Sequence, residues 1–201
     1  MAKIVTCPPV ATIASIVTSI EPCPVEIGQI QKLIFFRRGH GLTAVASATS
    51  ATVWTAHLAA TGDLKSVVSP MLTLNIPASE VREAGSGNEV VNGIPINIGS
   101  NPVKVEGRIW ETDQATILKL KNIKSEYLDV MFVNEANQLI YKLSGTAVKG
   151  FPIKSLWVSD PAVGSFADGT YNMFSFYLEA EWANALSITT ATTFLLDSVN
   201  S

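Results

Sequence analysis

Period-two alternation of apolar and polar residues restricts this chain to strands over most of its length. From Pro102 to Glu111, Val103, Val105 and Ile109 fall on one side, and Lys104, Glu106 and Arg108 on the other. Successive side chains of a strand point to opposite faces, so this segment reads as a half-buried strand. Asn172 to Trp182 repeats the pattern: Phe174, Phe176, Leu178, Ala180 and Trp182 share one face, while Ser175, Tyr177, Glu179 and Glu181 share the other. Gln29 to Arg38 differs. Its Leu33-Ile34-Phe35-Phe36 is an unbroken apolar block between polar ends, which predicts a strand buried on both faces. Glu126 to Val133 and Gln138 to Leu143 flank Asn134-Glu135-Ala136-Asn137, a polar connection suited to a hairpin. Asn92-Gly93 and Asp168-Gly169 add sites where a positive φ is cheap. A mostly antiparallel sheet follows.

Two segments break this period. Asp113 to Asn122 places Ile117 and Leu120, with Ile123 beyond them, at helical spacing. Thr112 or Asp113 supplies an N-cap, and Lys119, Lys121 and Lys124 lie toward the C-terminal end, where cations suit the helix dipole. Ala51 to Ala60 is rich in alanine but contains Thr52, Val53 and Thr55, so it reads as a short helix or a loop edge. The expected fold is mostly β: an antiparallel β-sandwich or barrel with one mid-chain α-helix and a long polar loop. Residues 1–27 are expected to form an N-terminal arm and residues 28–201 a single domain.

The loop is the stretch from Ser79 to Asn101, where the composition turns to Gly, Asn, Ser and Glu. So long a polar connection inside a compact domain is normally functional or disordered. Apolar residues are threaded through it, so it reads as an arm or extended hairpin awaiting a partner. Gly85, Gly87, Asn88, Val90, Val91, Gly93, Ile94 and Ile96 are the candidate subunit-interface residues. Composition supports this, because only 15% of the chain is charged while 47% is hydrophobic. A soluble domain carries roughly 25% charge, so part of this surface is expected to be buried against other protein.

Signatures of other functions fail on inspection. Net charge is −3 and the densest basic group is Lys32, Arg37 and Arg38, which is no electrostatic footprint for sequence-specific nucleic-acid binding. No apolar run spans a bilayer, so no membrane association is expected. The stretch from Val10 to Ile20 is interrupted by Thr12, Ser15, Thr18 and Ser19, unlike a secretory h-region, which points to synthesis in a cytoplasm. Cys7 and Cys23 match no zinc spacing; they read as free thiols, with one disulfide pinning the arm as the alternative. His40 and His57 have no companions at ligand or triad spacing, so neither a metal nor a cofactor is expected. Glu179 and Glu181 could bring two carboxylates together but read better as the wet face of a strand. Gly85 to Gly87 lacks the Gly-Lys-Ser/Thr of a phosphate loop. Trp54, Trp110, Trp157 and Trp182 are dispersed, which favours core or interface packing over a sugar platform.

The order of elements carries the remaining information: a buried early strand, a long polar connection, the strand from Val103 to Ile109, one helix, a hairpin and closing strands. That order resembles the tail tube proteins of long-tailed bacteriophages. The segment from Asn88-Glu89-Val90-Val91-Asn92-Gly93-Ile94 through Gln114-Ala115-Thr116-Ile117-Leu118-Lys119 also looks like phage virion proteins. The resemblance implies a virion structural protein made in the host cytoplasm, without enzymatic activity, cofactor or metal. It would form homo-oligomeric, hexameric rings stacked into a tube with other virion proteins as partners. A capsid decoration or auxiliary head protein is the alternative, and a carbohydrate-binding β-sandwich module the third reading, which would need an exposed aromatic face.

Overall fold

The computed structural model of the chain describes residues 27–70, 72–85, 94–110, 114–163 and 170–190. Its strands are β1 (Ile30–Arg37), β2 (Gly41–Leu42), β3 (Val67–Val68), β4 (Leu72–Asn75), β5 (Val81–Ala84), β6 (Ile96–Ser100), β7 (Val103–Trp110), β8 (Leu128–Asn134), β9 (Gln138–Ser144), β10 (Ala147–Lys149), β11 (Phe151–Val163), β12 (Thr170–Leu178) and β13 (Leu186–Thr190). Its helices are α1 (Val45–Ala48), α2 (Ala51–Ala59) and α3 (Gln114–Asn122). All pairings among these strands are antiparallel.

One ladder runs β2-β10-β9-β8-β11-β12-β7-β4, with β1 and β13 joined to β8 and β9. It folds over on itself at the 13-residue β11. Phe151 and Pro152 pair with β8, whereas Ile153 to Val163 pair with β12. Just past the switch, Ser155 sits in the left-handed region, at φ 56°, and the register with β12 shifts between Lys154 and Trp157 and again between Val158 and Pro161. An extra residue bends a strand and raises its twist, which lets one strand serve two sheets. The first sheet holds β1, β2, β3, β8, β9, β10 and β13; the second holds β4, β7, β12 and the rest of β11.

The apolar block of β1 explains the layering. Leu33 and Phe35 point between the sheets, into a core with Val105, Ile109, Val130, Phe132, Phe174 and Phe176. Ile34 and Phe36 point the other way, into a second core with Ala48, Trp54, Met131, Val133 and Val148. A strand with a core on each side needs apolar residues on both faces through its middle, and β8, wholly buried beside it, is built alike from Val130 to Val133. The helices α1 and α2 cover the second core. Alanine favours helix at α2, and Trp54 is buried there with its Nε1 donating to Ala48 O at 2.9 Å. The segment expected as a short helix or loop edge is therefore a helix over Ala51–Ala59, with Ala60 extended as its C-cap. The helix α3 contributes Ile117 and Leu120 to the inter-sheet core; its proposed caps, Thr112 and Asp113, lie outside the described residues.

Two details anchor the architecture. Buried Asn134 organises the β8–β9 turn: its Nδ2 donates to Ile27 O and Gln138 Oε1, each at 2.8 Å, and its Oδ1 accepts from Ala136 N and Gln138 N. At Gly107 of β7, a Cβ would lie 2.4 Å from both Thr73 O and the Phe174 ring, so only glycine lets β4 and β12 approach there.

The strand expected from Asn172 to Trp182 stops early. β12 ends at Leu178, Glu181 turns the chain at φ 58°, and Trp182 opens a short 3-10 segment. Ala180 and Trp182 thus leave the shared face, although Trp182 still packs on Phe132 and Phe151, at ring-centroid distances of 5.9 and 5.1 Å.

Candidate assembly surface

The expected interface segment begins where the β4–β7 pair ends. Beyond Asn75 and before Val103 the chain leaves the second sheet and re-forms as a separate two-stranded sheet, β5 with β6. Asn101 N donates to Glu80 O at 2.9 Å across its base. Val81 faces Ser100 and Ala84 faces Ile96, with a register shift between Arg82 and Glu83. Gly85, at φ 80°, begins the connection in a conformation that glycine adopts without strain. An isolated two-stranded hairpin is marginal in water. This one also leaves Val81 54%, Ile94 67%, Ile96 60% and Ile98 51% exposed. Of the residues singled out from sequence, Gly85, Ile94 and Ile96 are placed on or beside this ribbon. Gly87, Asn88, Val90, Val91 and Gly93 lie outside the described residues.

A second exposed surface was not anticipated. The outer face of the second sheet is read directly from its register. Trp157 of β11 lies opposite Ser175 of β12, which lies opposite Glu106 of β7. Met173 and Tyr177 flank Ser175 on that same face, Met173 opposite Arg108 and Tyr177 between Lys104 and Lys154. Trp157 is half exposed, and Met173 and Tyr177 are about two-fifths exposed. At the far end Trp110 packs against Tyr171 at 5.3 Å, and the Arg108 guanidinium lies 4.8 Å from the Tyr171 ring centroid. Ser155 decides this face: its left-handed turn and the accompanying bulge set Trp157 outward between the buried Leu156 and Val158.

The other candidates disperse. Trp54 lies in the core, so the four tryptophans do not converge on one surface. Glu179 and Glu181 do not share a strand face, because β12 ends before them; the Glu181 carboxylate accepts from Asn184 Nδ2 at 2.9 Å. His57 Nδ1 is engaged with Leu64 O at 2.9 Å and its ring packs on Phe36. The basic group of β1 makes no patch: Lys32 is buried, Arg37 pairs with Asp63, and Arg38 Nε lies 3.6 Å from Asp129 Oδ1. Asp129 also accepts from Gly39 N at 2.8 Å, yet burial pushes its carboxyl above the usual carboxylate range despite Gly39 and Arg38. Among the described residues no group of three or more His, Cys, Asp or Glu could hold a metal ion, and no helix is long and apolar enough to cross a membrane.

The fold is thus an antiparallel β-sandwich whose exposed features are an apolar ribbon and an aromatic sheet face. No family description and no curated protein matches the sequence. Two chains in solved structures are partly similar. One belongs to the virion of a native gene transfer agent particle, at 15% identity and a TM-score of 0.35, covering 59% of this chain and 82% of that one. The other belongs to the tail of an empty gene transfer agent particle refined with C6 symmetry, at 17% identity and a TM-score of 0.33, covering 59% of this chain and 79% of that one.

Proposed function

We propose that this chain is a non-enzymatic structural subunit of a phage-like virion, a tail tube component that forms stacked homo-oligomeric rings through the segment from Gly85 to Ile96. The observation that carries self-assembly is the β5–β6 ribbon, a sheet of only two strands that, with Ile94 just before β6, holds four aliphatic side chains half or more in water. Contiguous exposed apolar surface marks interaction sites in soluble proteins. The low charge content agrees, since contacts made with apolar surface and strand edges need few ions. The tail assignment rests on the order of elements that resembles tail tube proteins. In this reading the subunit is made in the host cytoplasm and ends in the virion, with copies of itself and other virion proteins as partners.

Sedimentation velocity and negative-stain microscopy of the purified protein over a concentration series test the reading. Rings or tubes that persist in moderate salt are the expected result. A protein that stays monomeric at the highest attainable concentration removes self-association as an intrinsic property.

A further inference from the structure

On the self-assembly reading the ribbon docks on a neighbour, and among the described residues the remaining surface offers one contiguous apolar candidate. The other large exposed apolar side chains on helices and loops, such as Leu64, Leu118 and Tyr127, lie singly on separate elements. Trp157, Met173 and Tyr177 instead converge around Ser175 on adjacent strands of one sheet face. Residues opposite or diagonal across a ladder lie within reach of one another, so these three side chains form one patch. Aromatic and methionine side chains are enriched at the centres of protein interfaces, where they add large area at little entropic loss.

We propose that the outer face of the second sheet is the receiver for the β5–β6 ribbon of a neighbouring copy. This rests on the self-assembly reading above. Three observations select a second copy as occupant. The ribbon does not use the face of its own subunit, because Val81, Ile94, Ile96 and Ile98 all remain half or more exposed. The two surfaces carry opposite charge. Among the described residues of the ribbon, Glu80 and Glu83 stand against Arg82. The sheet face has Lys104, Arg108 and Lys154 against Glu106, with Glu179 just past the end of β12. Asp160, farther along β11, is already paired with Lys121. Finally, ribbon and receiver are different surfaces of one chain, so copies can engage one another head-to-tail without reciprocal exchange. Such a contact closes into a ring when the rotation allows and propagates as a filament when it does not.

Photo-crosslinking decides the matter. Benzoylphenylalanine replaces Ile96 in unlabelled protein, which is mixed with an excess of 15N-labelled wild-type protein, assembled and irradiated. Mixed-isotope cross-links from position 96 to peptides containing Trp157, Met173 or Tyr177 are expected. A charge swap supplies the second readout: Lys154→Glu should weaken association about tenfold or more, and adding Glu83→Lys should restore most of it, since charge reversal at an interface acts through the pair. If particles form but cross-links fall on another surface or only within one chain, the receiver assignment is wrong while self-assembly stands. If no particles form, both fail. If the monomer binds a soluble oligosaccharide such as cellohexaose and Trp157→Ala abolishes that binding, the face is a glycan platform and the proposal is overturned.

Discussion

Replacing Ile94, Ile96 and Ile98 together with serine separates assembly from folding. These side chains are 67%, 60% and 51% exposed. Complete burial of such a side chain is worth about 1.5–3 kcal/mol, so covering the fraction still in water is worth about 1–2 kcal/mol each. Three of them contribute roughly 3–5 kcal/mol to a contact, and each 1.4 kcal/mol is a factor of about ten in affinity. Association should therefore weaken by about two to three and a half orders of magnitude. The subunit itself should hardly change, because none of the three belongs to either buried core and exposed substitutions usually shift stability by about 0.5 kcal/mol or less. Sedimentation velocity measures the first effect and urea unfolding of the dissociated subunit the second. Leu118→Ser on α3, at a side chain 50% exposed, is the control for loss of exposed apolar area in general. An association constant that moves less than tenfold, or one that falls in step with subunit stability, refutes the reasoning.

Phe176 is fully buried between the sheets, so Phe176→Asp places an unpaired charge in the core. It should leave an unfolded or aggregated chain by circular dichroism and size-exclusion chromatography, at a loss of about 4 kcal/mol or more. Asp129 gives a pH dependence whose sign follows from burial. Its carboxyl is raised in the folded state, so its contribution to stability is fully present below the unfolded value of about 3.9 and is lost as pH rises through the folded value. Urea unfolding across that window should therefore show wild type losing stability relative to Asp129→Asn as pH rises. A constant difference between the two proteins would contradict the assignment. Asn134→Asp removes both amide donors while keeping the side chain's shape, and sets a carboxylate against Ile27 O and Gln138 Oε1. About 2–4 kcal/mol of stability should be lost, measured by the same unfolding curves.

Local patterning determined the strands from Val103 to Ile109 and from Asn172 to Leu178, the hairpin around Asn134 and the mid-chain helix. Each of these declares itself through the period of its own side chains or the chemistry of its own turn. The Leu33-Ile34-Phe35-Phe36 block likewise announced a strand buried on both faces, though not what would lie on each side of it. The polar stretch with interspersed valines and isoleucines marked the interface candidate by composition alone. Period-two alternation also runs past the end of β12 into Glu179, Ala180 and Trp182, because it records which residues could face a core. Whether a neighbouring strand is there to pair with them is a long-range matter, and at Glu181 the chain turns instead.

Tertiary structure alone decided that β11 leaves one sheet for the other, that α2 is held as a helix over a second core by buried Trp54, and that Trp157 faces water beside Tyr177. Trp157 sits between apolar neighbours in a chain whose tryptophans are mostly packed, so no local rule turns it outward. The bulge at Ser155 does, and a bulge exists only relative to a partner strand: register is a property of two segments far apart in sequence, and the sheet face that follows from it belongs to neither segment alone.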